Sequence, residues 1–139
     1  MNVSLENAAK TGSRKRILVV DDEPEVTDVL IRILKGNGFE AWAANNPLET
    51  LERAKAIRPD LILLDFDMPK LLGPEVSVVL KSSSETRDIP IVFLSGMTDE
   101  DHHAIGALSG AAAYLAKPID QVKLIETIRA VLGSHHPPR

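Results

Sequence analysis

The feature that most constrains this chain is a regular alternation of short apolar runs with longer amphipathic segments. The clearest runs are RILVV, LILL, IVFL and AAYLA, at residues 16–20, 61–64, 91–94 and 112–116, and a weaker one, FEAWAA, covers 39–44. Such short, apolar runs are typical of strands that are buried on both faces of a sheet. The sequence therefore predicts five strands.

Between and after these runs, apolar residues recur at the spacing of an amphipathic helix. Helices are predicted from Pro24 to Gly36, from Pro47 to Pro59, around Glu75 to Lys81, from about Asp99 to Leu108, and from about Val122 to Gly133. Proline suits a first helical turn, and we expect Gly36 and Gly133 to end their helices. Strict alternation of strands and helices predicts a parallel α/β sheet with helices on both faces and right-handed crossovers.

The length and composition favour one globular domain. The chain has 139 residues, of which 44% are hydrophobic and 26% are charged. We expect residues 1–15 to form a flexible leader, 16–133 the domain and 134–139 a tail.

Several classes of function are disfavoured by the same composition. The net charge of −4 does not favour a nucleic-acid partner, and the absence of Cys excludes disulfides, thiol nucleophiles and thiolate metal sites. No apolar run is long enough for a membrane span, and the N-terminus does not resemble a signal peptide. A cytoplasmic location is therefore expected.

Polar residues follow the apolar runs directly. Asp21 and Asp22 follow the first run, Asp65 the third, Ser95 the fourth and Lys117 the fifth. The carboxyl ends of parallel strands lie along one edge of a sheet, where ligands bind. The sequence therefore predicts that these side chains form a single site.

The charges of these groups indicate the chemistry of the site. Three close carboxylates repel one another, and Lys117 offsets only part of their charge. A hard cation with oxygen ligands would offset the rest, and Mg²⁺ is the natural candidate. A carboxylate beside Mg²⁺, an ammonium and a hydroxyl is suited to accept a phosphoryl group.

The motifs ILVVDDEP, LILLDFDMP, FLSG and YLAKP, in this order, resemble the receiver domain of bacterial two-component response regulators. The resemblance runs from about Arg16 to Gly133 and includes regulators of the chemotaxis type. It implies a flavodoxin-like, doubly wound five-stranded sheet of order 2-1-3-4-5 with five helices. It also implies a cis peptide bond between Lys117 and Pro118.

The resemblance further implies roles for individual residues. Asp65 resembles the phospho-accepting aspartate, and Asp21 and Asp22 resemble the acidic pair that holds Mg²⁺ with Asp65 and the backbone carbonyl of Asp67. Ser95 resembles the switch hydroxyl, Lys117 the phosphate-contacting lysine and Tyr114 the aromatic switch. Separately, we predict that Asp67 modulates the lifetime of the phosphoryl group, with Met97 opposite it.

The function so implied is transfer of a phosphoryl group from a sensor histidine kinase or phosphotransfer protein to Asp65, followed by slow hydrolysis, rather than conventional enzyme turnover. Phosphorylation would change the face formed by the fourth and fifth predicted helices for a downstream protein, a fused effector or a second copy of the chain. The sequence leaves open whether the receiver stands alone or belongs to a longer regulator or hybrid kinase.

Two functions from other classes are weaker alternatives. Phosphatases of the haloacid dehalogenase group also carry an Asp-x-Asp motif, but theirs normally follows the first core strand, whereas Asp65 and Asp67 follow the third. A nucleotide-binding or flavin-binding module would share the architecture, but no glycine-rich phosphate loop follows the first strand.

Overall fold

A computed structural model of the chain describes residues 14–68, 73–96 and 111–134. In chain order, its elements are β1 (Arg16–Val20), α1 (Pro24–Gly36), β2 (Glu40–Ala44), a 3₁₀ turn (Pro47–Glu49), α2 (Thr50–Ile57), β3 (Leu61–Asp65), α3 (Gly73–Lys81), β4 (Ile91–Ser95), β5 (Ala113–Ala116) and α4 (Gln121–Ser134).

The five strands form one parallel sheet in the order β2-β1-β3-β4-β5. The predicted α/β class, flavodoxin-like order and number of strands are therefore confirmed. In the register of the sheet, Val20 is opposite Leu64, Asp65 is opposite Leu94, and Ser95 is opposite Ala116. The carboxyl ends of β1, β3, β4 and β5 consequently meet at one edge.

Alternate residues of each strand face opposite sides of the sheet, so the sheet separates two apolar layers. One layer packs Ile17 and Val19 against helices α1 and α4, and the other packs Leu18 and Val20 against α2 and α3. All residues of β3 and β4 are buried, including the polar residues at their ends. Truncating a fully buried Leu in such a core costs about 2 to 5 kcal/mol, so the sheet is a rigid base for its edge.

Four α-helices lie within the described residues. The helix predicted over about 99–108 and the predicted site residue Met97 lie outside them. No helix in the described ranges combines the length and the apolar character that crossing a membrane requires.

The helix predicted from Pro47 to Pro59 is interrupted near its start and ends early. The side chain of Asn46 accepts the Leu48 N–H at 3.0 Å and caps a 3₁₀ turn, after which α2 begins at Thr50. The helix ends at Ile57 because Arg58 adopts the left-handed conformation, with φ of 55°. A residue that precedes proline disfavours the right-handed helical conformation, and Pro59 follows Arg58.

The two glycine predictions had different outcomes. Helix α1 does end at Gly36, and Gly38 lies beyond it with φ of 92°, which glycine adopts without strain. The prediction that Gly133 ends the last helix was wrong, because α4 continues to Ser134. Glycine costs a helix only about 1 kcal/mol relative to alanine, so packing of the buried face of α4 overrides it.

Gly73, the first residue of α3, packs closely against the backbone at the carboxyl end of β3. Its N–H donates to the carbonyl of Phe66 at 3.0 Å, and a Cβ at this position would lie 2.7 Å from the backbone oxygen of Asp65 and 2.9 Å from the Cα of Phe66. Only glycine therefore lets α3 begin this close to the end of β3.

We expect Gly73→Ala to lower the free energy of unfolding by about 1 to 3 kcal/mol, because backbone atoms cannot move aside as a flexible side chain can. Urea unfolding measures this change. Gly36→Ala is the matched control, since its Cβ would meet nothing within 4 Å, and it should be neutral or stabilising. Equal stability of Gly73→Ala and the parent would contradict the close approach.

Candidate functional site

Three carboxylates meet at the carboxyl edge of the sheet. Asp21 directly follows β1, Asp65 is the last residue of β3, and Asp22 follows Asp21 into the turn before α1. One carboxylate oxygen from each of these residues lies within 4.8 Å of the others. Because β1 and β3 are neighbours in the sheet, strand pairing itself places Asp21 beside Asp65.

Asp65 is bound by the lysine that the sequence predicted to lie near it. The residue is 2% exposed, and its Oδ1 accepts a hydrogen bond from Lys117 Nζ at 2.8 Å and a longer one from the Asp67 N–H at 3.3 Å. Lys117 reaches Asp65 from the end of β5, where the Lys117–Pro118 peptide bond is cis, as predicted. The ion pair thus joins the central strand to an edge strand.

The ammonium of Lys117 is stabilised in its charged form. Partial burial alone would lower its pKa, but the hydrogen bond that Lys117 donates to Asp65 and the charges of Asp65, Asp21 and Asp67 outweigh burial and raise the pKa above its ordinary value. Lys117 therefore remains a cation throughout the physiological pH range and can pair with an anionic group.

Asp21 is the most constrained acid of the cluster. It is 0% exposed, its Oδ1 accepts the Glu23 N–H at 2.9 Å, and its buried Oδ2 has no hydrogen-bond partner among the described residues. Burial raises the pKa of the Asp21 carboxyl to about 6; the Glu23 N–H and Lys117 oppose this shift, whereas the charges of Asp65 and Asp22 add to it.

These observations fit a divalent cation. The site holds three carboxylates within reach of one ion, and one buried carboxylate oxygen has no hydrogen-bond partner in the part of the chain that the structure describes. A single ammonium, that of Lys117, forms a direct ion pair with the cluster among the described residues. Hard cations such as Mg²⁺ are bound by carboxylate and carbonyl oxygens, so the donor set suits Mg²⁺.

Ser95 and Tyr114 lie on the two strands beyond β3. Ser95 is buried at the end of β4, and its carbonyl accepts the Lys117 N–H at 2.8 Å. The half-buried ring of Tyr114 stacks on Phe93, with ring centroids 5.5 Å apart and planes at 25°. Phe93 in turn meets Phe66 edge-on at 5.2 Å. An aromatic row therefore extends from the residue after Asp65 to Tyr114.

Asp67 lies two residues beyond Asp65, and its side chain is exposed. The structure therefore places six predicted site residues at the carboxyl edge of the sheet: Asp21, Asp22, Asp65, Asp67, Ser95 and Lys117. Tyr114 instead lies within β5, opposite Phe93 and two residues before the strand ends. The predicted site residue Met97 lies outside the described ranges.

Sequence reasoning missed Asn45, which also lies at this edge. Its Nδ2 donates to the backbone oxygen of Asp21 at 2.9 Å and to Thr27 Oγ1 at 3.0 Å. A signal was present, because Asn45 directly follows β2 just as Asp21 follows β1. The apolar pattern of β2 is weak, so it marks the end of its strand less clearly than the patterns of β1 and β3 do.

We expect Asp21→Asn to raise the free energy of unfolding by about 1 to 3 kcal/mol at about pH 8 without divalent cations, because the amide removes a buried charge beside Asp65. The native Asp21 carboxyl, with its pKa near 6, holds a proton more tightly than the unfolded chain, whose Asp pKa is 3.8. This group therefore makes the parent less stable as the pH rises from about 4 to about 6, so the advantage of the variant should shrink on acidification.

Urea unfolding across this pH range, with a chelator present, measures the effect. Asp28→Asn, which neutralises an exposed acid on α1, should differ from the parent by less than about 0.5 kcal/mol. Parallel pH profiles for the parent and Asp21→Asn would contradict the assignment.

Comparison with known proteins identifies the family to which the chain belongs. The sequence model of the response regulator receiver domain family matches residues 17–129. The DNA-binding response regulator MtrA of Mycolicibacterium smegmatis is 38% identical over 119 residues, which are 86% of this chain and 51% of MtrA. The chain thus spans about half the length of MtrA.

Two further proteins match over nearly their whole length. The polar-differentiation response regulator DivK of Brucella anthropi is 33% identical over 119 residues, covering 86% of this chain and 97% of DivK. The chemotaxis protein CheY4 of Vibrio cholerae superimposes with a TM-score of 0.80 and 28% identity, covering 86% of this chain and 99% of CheY4. The chain therefore belongs to the response regulator receiver domain family of two-component signalling proteins.

Proposed function

We propose that the chain is a phosphoryl-accepting receiver in which Asp65 takes a phosphoryl group from a phosphohistidine. The observation that carries the proposal is the buried Asp65 carboxylate, which is paired with Lys117 Nζ at 2.8 Å and lies within reach of Asp21 and Asp22. Phosphorylation and Mg²⁺ binding are general properties of the family, which supports this assignment.

In the proposed reaction, an oxygen of the Asp65 carboxylate attacks phosphorus while the bond from phosphorus to the donor histidine nitrogen breaks. The nitrogen keeps the bonding electron pair, and Asp65 becomes an acyl phosphate. The Lys117 ammonium pairs with a transferred phosphoryl oxygen, and its raised pKa keeps it charged for this purpose. Asp65 is fixed at the end of a buried strand, which limits its motion before attack.

Four groups would hold Mg²⁺: the carboxylates of Asp21, Asp22 and Asp65, and the backbone carbonyl of Asp67. When bound, the cation would neutralise charge on the phosphoryl oxygens during transfer. The buried Oδ2 of Asp21, which has no hydrogen-bond partner within residues 14–68, 73–96 and 111–134, supports Asp21 as one of these ligands.

We further propose that Ser95 and Tyr114 transmit the phosphorylated state. The Ser95 hydroxyl would contact the phosphoryl group, and Tyr114 would leave its half-exposed position on Phe93 and turn inward. Phosphorylation would shift this equilibrium only by the extent to which it favours one conformation over the other. The proposed output surface includes α4, the last of the five helices predicted from the sequence.

Asp67 is the residue we propose to set the lifetime of the acyl phosphate, together with Met97. The exposed Asp67 side chain lies two residues from Asp65, where water would approach. Hydrolysis of the acyl phosphate returns Asp65 to its starting state, so the chain acts as a signalling switch; members of this family are not conventional enzymes.

The proposed partners are a sensor histidine kinase or phosphotransfer protein upstream and a protein or fused effector downstream. The match to nearly all of DivK favours a stand-alone receiver, whereas the match to half of MtrA favours the receiver part of a longer regulator. Although MtrA is named a DNA-binding regulator, we propose no direct nucleic-acid contact for this domain. We also propose a cytoplasmic location and a phosphorylation-dependent homodimer.

Intact-protein mass spectrometry after incubation with acetyl phosphate and Mg²⁺ tests the function. We expect a single phosphoryl adduct on the parent and none on Asp65→Asn, because the amide is not a competent nucleophile. Asp88→Asn, which changes an exposed acid before β4, should match the parent. No adduct on the folded parent, or an equal adduct on Asp65→Asn, would contradict the proposal.

Decay of the adduct in the same experiment tests the role of Asp67. We expect Asp67→Asn to be phosphorylated and to lose the phosphoryl group at a different rate from the parent. Identical decay rates would remove Asp67 from the proposed lifetime control while leaving the function of Asp65 intact.

A further inference from the structure

Asn45, at the end of β2, is hydrogen-bonded to the acidic turn, by which we mean the turn between β1 and α1 that contains Asp21 and Asp22. It follows β2, and its side-chain amide donates to the backbone oxygen of Asp21 at 2.9 Å and to Thr27 Oγ1 at 3.0 Å. A side-chain amide has two N–H donors, and these two bonds use both. The amide therefore holds one orientation between β1 and α1.

Thr27 accepts the second hydrogen bond of the Asn45 amide. The residue is 0% exposed, and its Oγ1 donates to the Pro24 carbonyl at 3.0 Å while it accepts from Asn45. A hydroxyl can donate and accept at once, so Thr27 links Asn45 to the first turn of α1. The Thr27 side chain is buried and its position is fixed by packing, which makes it a firm anchor for the exposed Asn45.

The bonded oxygen of Asp21 belongs to the peptide unit that leads into Asp22. Because a peptide unit is planar, fixing its oxygen fixes the orientation from which the Asp22 side chain projects. The half-buried carboxylate of Asp22 makes no hydrogen bond among the described residues, so its direction depends on this backbone. Asp21 has restraints of its own, since its N–H donates to the Ala44 carbonyl at 3.2 Å and its Oδ1 accepts from Glu23.

We propose that Asn45 is a positioning residue for the divalent cation: it holds the Asp21–Asp22 peptide so that Asp22 faces the ion, and Thr27 orients Asn45. This inference rests on the proposed Mg²⁺ site. Groups that orient metal ligands without touching the metal commonly change metal affinity by about 10-fold to 100-fold when they are removed.

The chain offers a matched control in the next residue. Asn46 also uses its side chain to fix backbone, accepting the Leu48 N–H at 3.0 Å, but its bond is to the 3₁₀ turn rather than to the acidic turn. Loss of either asparagine removes local hydrogen bonding at the end of β2. Only the loss of Asn45 should change the affinity for the cation.

The experiment titrates Mg²⁺ into the full chain and follows the backbone amide NMR resonances of residues 21–23, with urea unfolding measured on each variant. We expect Asn45→Ala to raise the Mg²⁺ dissociation constant by about 10-fold. Asn46→Ala should destabilise the fold, as loss of an N-cap does, and leave the Mg²⁺ dissociation constant at the parent value. Thr27→Val should weaken binding, and Thr27→Ser, which keeps the hydroxyl, should restore it.

Each outcome separates this inference from the proposed function. If the parent binds Mg²⁺ and Asn45→Ala binds equally well, the positioning role is overturned while the metal site stands. If Asn46→Ala weakens binding as much as Asn45→Ala, the effect is general destabilisation, and the positioning role is again overturned. If the parent binds no Mg²⁺, both this inference and the proposed metal site fail.

Discussion

The interaction on which the site depends is the ion pair between Lys117 and Asp65, with Nζ and Oδ1 2.8 Å apart. It spans from the edge strand β5 to the central strand β3, and it places the only cation that pairs directly with the acidic cluster among the described residues. One ammonium cannot balance three acids, and the raised pKa of Asp21, about 6, reflects burial with the remaining negative charge close by. The site therefore carries excess negative charge, which a bound divalent cation would neutralise before a phosphoryl group is accepted.

Much of the site could be predicted from the sequence because strand pairing is a strong constraint. An apolar run followed by Asp21, Asp65, Ser95 or Lys117 specifies which end of a strand carries polar chemistry, and a parallel sheet brings such ends together. The prediction that the acids and the lysine lie together required no knowledge of side-chain conformation. By contrast, the stacking of Tyr114 on Phe93 depends on the register of β4 and β5, which the sequence pattern does not specify.

The remaining differences between the predicted and the observed elements arise where local hydrogen bonds, backbone conformation or packing override the sequence pattern. The 3₁₀ turn after β2 follows from one side-chain cap at Asn46, and the early end of α2 follows from the conformation of Arg58 before proline. The continuation of α4 through Gly133 shows packing overriding intrinsic propensity. Asn45 was missed for a related reason, since its importance comes from two hydrogen bonds across to β1 and α1 rather than from its place in a motif.

Taken together, hydrogen bonds restrain the acidic side of the site, and apolar ring contacts adjoin the proposed switch. We propose that Asp65 accepts a phosphoryl group with help from Mg²⁺ and Lys117. Fluorine NMR of the chain with beryllium trifluoride, an analogue of a transferred phosphoryl group, tests this claim most directly. We expect bound fluorine resonances that require Mg²⁺ and are absent from Asp65→Asn. Bound resonances that persist in Asp65→Asn, or none for the folded parent with Mg²⁺, would contradict it.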